Sequence, residues 1–191
     1  MIEVSLENGR LVLNSANANY SYGSLFAIFK KSFEAFQLSF KDKTYVLMLG
    51  LGGGSVVKYL ASKFNHLKID AVELDPVIID VANTYFELAS FKNISTICED
   101  ASVFVEKTTK KYDLILIDLF IDTAPPSFCL EAAFIDAIAK CCTEKTGEVI
   151  FNKSMTRDGR SAPLHYQKHF KNIITKNILN NQLDYYSNHL K

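Results

Sequence analysis

Four glycines crowd directly behind an apolar run in Val46-Leu47-Met48-Leu49-Gly50-Leu51-Gly52-Gly53-Gly54-Ser55. Three acids, Glu73, Asp100 and Asp118, then stand at or just past the ends of later apolar runs. Glycines at a strand end permit positive φ and let a ligand touch the main chain. A helix starting just behind them offers free N–H groups and roughly half a positive charge. A carboxylate at the next strand end can accept hydrogen bonds from both hydroxyls of a ribose, and Glu73, followed by Leu74, is so placed. Asp100, with Ala101 behind it, suits an exocyclic adenine amine. Asp118, ending Leu114-Ile115-Leu116-Ile117-Asp118, faces the reacting part of the ligand. The pattern asks for a nucleotide-like cofactor. As a dinucleotide fingerprint GxGxxG, Gly50 and Gly52 fit only with Ser55 in the third place, and an adenosylmethionine-type cofactor tolerates less regular glycines because no pyrophosphate is held.

These residues need an open sheet to carry them. After Lys43, short continuous apolar runs at 45–49, 69–72, 94–97, 114–117 and 149–151 read as strands buried on both faces. Helices are expected between them at 54–64, 76–89, 101–109 and 127–142, with Asp75 as N-cap and Pro76 at the first helical position of the second. Alternation of this kind predicts an α/β fold with a Rossmann-like, mostly parallel sheet. Ahead of it, 2–6 and 11–13 flank Asn8-Gly9 and predict a β-hairpin. Leu25, Phe26, Ile28, Phe29, Phe33 and Phe36 form a helical stripe expected in the core. The expected division is 1–43 for hairpin and helix, and 44–191 for the cofactor-binding α/β domain. In the tail, 163–170 reads as a helix, and 173–178 and 183–186 as antiparallel strands turning at Asn180-Asn181. His165 and His169, four apart on that helix, lack an acidic partner at motif spacing, so no metal is expected.

The chain has 191 residues, 48% of them hydrophobic, enough for one substantial core. Its 21 basic and 21 acidic residues cancel, so a nucleic-acid or anionic-membrane partner is not expected. No apolar run approaches the ~20 residues of a membrane span, and the N-terminus lacks a signal-peptide pattern. Cys98, Cys129, Cys141 and Cys142 fall at no metal-ligand spacing and read as buried free thiols, so a cytoplasmic location is expected.

Taken together, VLMLGLGGGS (46–55), IDAVELDPVIIDVA (69–82), CEDASVFV (98–105) and YDLILIDLF (112–120) resemble the successive motifs of the spermidine synthase family. The similarity covers about residues 1 to 152 and is closer to the methyltransferase-like branch, whose members are class I methyltransferases. The resemblance implies that Gly50, Gly52 and Gly54 line the methionine or aminopropyl part of the cofactor, Glu73 with Leu74 holds the ribose, and Asp100 with Ala101 the adenine. It further implies that Asp118 assists the attacking group, that Tyr22 borders the acceptor with Asp122 nearby, and that the protein pairs as a homodimer.

Three departures bear on the cofactor and the acceptor. Aminopropyltransferases carry an aspartate in the glycine loop that meets the amino end of decarboxylated adenosylmethionine; this chain has Gly53. Glycine amides at a helix start suit the carboxylate of intact S-adenosylmethionine, which an aspartate would repel. Gly23 follows Tyr22 where polyamine enzymes usually have glutamine, and Asp118 and Asp122 are spaced one residue wider than in DSSDP-type loops. The expected activity is therefore methyl transfer to a small-molecule or protein acceptor. Aminopropyl transfer from decarboxylated S-adenosylmethionine, as in polyamine biosynthesis, is the alternative, and a non-catalytic nucleoside-binding or assembly protein the third reading.

Overall fold

The computed structural model describes residues 2–7, 10–15, 24–121, 124–153 and 165–188. Strands β1 (Ile2–Glu7) and β2 (Arg10–Ser15) pair antiparallel, with Glu7 opposite Arg10, the register a two-residue connection requires. Asn8-Gly9 itself lies outside the described residues. Helix α1 (Ser24–Ala35) follows, and Ile28, Phe29, Phe33 and Phe36 are buried as its stripe predicts.

From Tyr45 onward the chain builds β3 (Tyr45–Leu49), α2 (Ser55–Lys63), β4 (Lys68–Glu73), α3 (Pro76–Tyr85), β5 (Ile94–Cys98), α4 (Ala101–Lys107), β6 (Leu114–Ile117), α5 (Ala132–Cys141), β7 (Glu148–Asn152), α6 (Tyr166–His169), β8 (Asn172–Ile178) and β9 (Asn181–Ser187). Seven of these strands form one sheet in the order β5-β4-β3-β6-β7-β9-β8. The first five run parallel, and β9 is antiparallel to both β7 and β8.

Side-chain alternation along the strands creates two cores. Val46, Met48, Ile69, Ala71, Leu114, Leu116 and Ile150 face one side, where α1 and α2 cover them. Leu47, Leu49, Val72, Ile115, Ile117, Val149 and Phe151 face the other, beneath α4 and α5. Each fully buried aliphatic side chain contributes about 1.5–3 kcal/mol, so helices on both faces follow from strands apolar on both faces. The expected boundary at 43/44 falls just after the turn at 41–42, while Phe29 and Phe33 of α1 lie in the first of these cores and Phe26 is only half-buried.

Several expectations need correcting. Strand β5 is the sheet's outer edge, so it is only partly covered and Cys98 is exposed, not buried; the other three thiols are buried. The helix expected at 127–142 is a 3-10 turn (Ser127–Leu130) and then α5, because Glu131 takes an extended backbone between them. The helix expected at 76–89 stops at Tyr85, and Glu87 turns left-handed before a 3-10 turn at Leu88–Ser90. Of the helix expected at 163–170, residues 163 and 164 lie outside the described residues, and within 165–170 the helix is the single turn α6. The last hairpin turns one residue earlier than expected, with Leu179 and Asn180 both at positive φ, as a tight two-residue turn needs. Among the described residues, no helix is long and apolar enough to cross a membrane.

A buried polar cluster ties the chain before β3 to the far side of the sheet. Lys43 pairs with Glu148 at the start of β7, and the Tyr185 hydroxyl of β9 donates to the same carboxylate. Both ion-pair side chains are less than a tenth exposed. Removing the cation alone strands a charge in low dielectric, a change that typically costs about 3–5 kcal/mol. Lys43→Ala is therefore expected to lower unfolding free energy by about that amount in urea titrations, whereas Lys41→Ala, on an exposed turn, should leave it within ~0.5 kcal/mol.

Candidate functional site

The strand order reverses at β3, which lies between β4 and β6, and there the loops leaving β3 and β6 must part to opposite sides. The ladder continues one step past both strands: Gly50 N–H donates to Val72 O and Asp118 N–H to Leu49 O, each at 2.9 Å. Gly50 adopts φ +88°, and a Cβ built on it would lie 2.3 Å from the Asp118 carbonyl oxygen. Its missing side chain is thus demanded first by the neighbouring strand. Gly54 has a similar reason, at φ +74° with Leu88 Cδ1 3.1 Å from where a Cβ would stand.

Between them the loop is tied to Glu73. The Leu51 and Gly52 amides donate to Glu73 Oε2 at 3.1 and 3.4 Å, and the Asp75 amide to Oε1 at 3.1 Å. A carboxylate offers about four acceptor positions, so about one remains, on Oε1, for a ligand hydroxyl. The residue expected to take two ribose hydroxyls is also the brace that shapes the loop. Gly54 is the N-cap of helix α2 and has no side chain to cap it, so the first-turn amides stay available to an anion beside Gly53.

Two apolar side chains stand in the open at the next strand end: Leu74 is 66% and Val77 55% exposed. Flat apolar surface covering them is what an adenosine supplies. Asp75 caps α3 through Val77 N–H at 2.8 Å, as its place before Pro76 predicts. Asp100 caps α4, its Oδ1 accepting from the Ser102 hydroxyl and the Ser102 and Val103 amides. Those bonds, the hydroxyl's first, hold its carboxyl below the usual range despite partial burial. No described donor reaches Oδ2, the oxygen left for an amine. The Ala101 side chain is buried in the core, so only its backbone can face a ligand.

Asp118 is held from the adjacent strand. Asn152, the last residue of β7 and 1% exposed, donates its side-chain amide to Asp118 Oδ1 at 2.9 Å. Strand β9 fixes Asn152 in turn, pairing it with Leu183, while the next residue, Lys153, forms a buried ion pair with Asp184 at 2.7 Å. Burial pushes the Asp118 carboxyl up to about 7, with the Asn152 hydrogen bond pulling the other way. An unperturbed aspartate, near ~3.9, is a poor base for an amine; this one is tuned toward neutrality.

Gly50, Gly52, Gly53, Gly54, Glu73, Leu74, Asp100 and Asp118 thus share the carboxyl edge of β3 to β6. Tyr22 and Asp122 lie outside the described residues. Asn152 and Lys153 were not singled out by sequence reasoning; a polar residue ending the strand beside that of Asp118 was the available signal. His169 pairs with Asp136 at 2.6 Å, and among the described residues no three His, Cys, Asp or Glu gather as a metal site.

The sequence profile of the spermine/spermidine synthase domain matches residues 35–157. The eEF1A lysine and N-terminal methyltransferase homolog of Drosophila pseudoobscura pseudoobscura is 36% identical over 77 residues, 39% of this chain and 11% of that protein. The polyamine aminopropyltransferase of Vibrio vulnificus is 34% identical over 93 residues, 47% of this chain and 31% of that one. The chain therefore spans under a third of the length of either relative. A probable spermidine synthase from Corynebacterium glutamicum superposes on all of this chain and 77% of its own, at TM-score 0.85 and 16% identity. Human methyltransferase-like protein 13 in complex with SAH superposes on 88% of this chain and 80% of its own, at TM-score 0.66 and 22% identity. Both confirm the Rossmann-like fold.

The raised Asp118 carboxyl has a thermodynamic signature. Its folded value exceeds the unfolded one, so the native state holds the extra proton, and the stability this adds is complete below about pH 4 and lost as pH rises through about 7. Unfolding free energy measured by urea across that window should fall with pH in the unliganded protein, and Asp118→Asn should flatten that part of the slope. An equal slope in the variant would contradict the assignment.

Proposed function

The chain belongs to the spermine/spermidine synthase domain family, and from that membership we propose that it is a methyltransferase using S-adenosylmethionine on an amine nitrogen. The observation that carries this reading is Asp118: a carboxylate at the sheet's reversal point, braced by Asn152, tuned to about 7 and facing a glycine loop that has no acid of its own. The fly relative is named for lysine and N-terminal methyl transfer and the Vibrio relative for aminopropyl transfer to a polyamine, so both act on amines. We extend the proposal to a cytoplasmic location, which the buried free thiols suit.

The residues fit the cofactor. Glu73 Oε1 would meet a ribose hydroxyl, Leu74 and Val77 would cover the base, Asp100 Oδ2 would accept its amine, and the amides at Gly53 and the start of α2 would meet the carboxylate. Bound there, S-adenosylmethionine supplies a methyl on a sulfonium that departs as a neutral thioether. Asp118 does the rest from the protein's side. With Oδ1 engaged by Asn152, its second oxygen accepts an acceptor N–H, aligns the nitrogen lone pair, and takes the proton released as the new C–N bond forms.

A second reading, aminopropyl transfer from decarboxylated S-adenosylmethionine in polyamine biosynthesis, has the Corynebacterium superposition and the Vibrio match in its favour. It lacks an anion at Gly53 for the cofactor's ammonium end. A thermal-shift panel separates the two. S-adenosylmethionine should raise the melting temperature more than its decarboxylated form or NAD at equal concentration, and Gly53→Asp should reverse the first two. A larger shift with the decarboxylated form in the unaltered protein would decide for aminopropyl transfer.

Charge on sulfur gives a second test. The free Asp118 carboxyl is largely protonated below about 7 and attracts a sulfonium only once ionised. Calorimetric affinity for S-adenosylmethionine should therefore strengthen from about pH 6 to about pH 8, while that for SAH, whose sulfur is neutral, changes little. Asp118→Asn should remove the difference. Parallel pH profiles for the two ligands would place the sulfur away from Asp118.

A further inference from the structure

The opposite, amino-terminal edge of the sheet carries a recess of about 310 Å³, within the range of small-ligand sites. Lys68 at the start of β4, Lys92 before β5 and Lys110 before β6 line it, with Asp70 as the one carboxylate among its lining residues. That carboxylate is already engaged: Asp70 Oδ2 lies 2.6 Å from Lys110 Nζ and accepts the Tyr112 hydroxyl at 2.8 Å. Among the described residues neither Lys68 nor Lys92 makes an ion pair. Two of the ammoniums are gathered on one ring, Lys110 at 4.7 Å and Lys68 at 5.5 Å from the centre of Tyr45. The Tyr45 ring thus draws together two cations that repel each other, and only Lys110 has a carboxylate to meet it, which leaves the charges of Lys68 and Lys92 unmatched by an ion pair among the described residues.

We propose that this recess binds the multivalent phosphate group of a small molecule. Lysine is a mobile point charge with three donors, suited to phosphate oxygens of varied geometry, and Ser95 and Asn65 add neutral donors on the lining. Asn93 stiffens the rim by donating to Leu67 O at 3.1 Å. The recess lies at the far end of β4 from Glu73, about 17 Å away at ~3.3 Å per residue, so its ligand does not compete with one at the glycine loop.

Isothermal titration of the full chain at fixed ionic strength, with tripolyphosphate, ATP and inorganic phosphate as probes, tests this. Tripolyphosphate is expected to bind saturably with one site, ATP comparably, and inorganic phosphate more weakly. The pair Lys68→Gln and Lys92→Gln should weaken tripolyphosphate at least about tenfold, whereas Lys68→Arg with Lys92→Arg should retain it. Prior saturation with SAH should leave it unchanged. Undiminished affinity in the glutamine pair, ATP binding without tripolyphosphate binding, or displacement by SAH would each overturn the proposal.

Discussion

The close approach of Gly50 to the carbonyl of Asp118 is the constraint on which the site rests. Two neighbouring strands keep their ladder one residue beyond their regular ends, and the space between them admits a hydrogen but no methyl group. That fixes where the glycine loop departs and where the Asp118 side chain is delivered. A position-defining contact between main chains is stiffer than one between side chains, because neither partner can escape by changing rotamer. The fold thereby sets the distance between the cofactor's cradle and the acid that serves its acceptor.

Support for that arrangement comes from the flank. Strands β7 and β9 carry the polar residues that sequence alone would place in loops or leave unremarked: Asn152 on Asp118, Lys153 on Asp184, Glu148 with Lys43 and Tyr185. Asp184 also accepts from the hydroxyls of Thr175 and Tyr186, so its charge is met from three side chains. Buried polar groups satisfied this fully specify one register over its neighbours, since a slip by one residue would orphan each of them. Asp118 inherits its orientation from interior strands that have little freedom of their own.

Much of this was legible in the residues. Continuous apolar runs gave the parallel strands, Asp75-Pro76 the start of α3, and the glycine loop with Glu73, Asp100 and Asp118 the carboxyl-edge cluster, because local patterns and strand ends encode them directly. Less legible were features that depend on which strands become neighbours. Cys98 was misjudged because an apolar run does not announce an edge, and Asn152 was missed because its importance comes from lying beside β6. The double duty of Glu73 was hidden likewise: spacing places the carboxylate near the loop but not the amides of Leu51 and Gly52 upon it.

The placement of β9 between β7 and β8 bears on how the chain emerges during synthesis. Everything through β7 can collapse around α1 to α5 while residues 181–187 are still unmade, but β7 then presents an apolar, unpaired border with Glu148 lacking Tyr185 and Asn152 lacking its neighbour. Such a border is a template for strands of other chains. The hairpin of β8 and β9, turning tightly at Leu179 and Asn180, forms locally and can seal that border in one step, so two strands made after β7 are also the guard against misassembly.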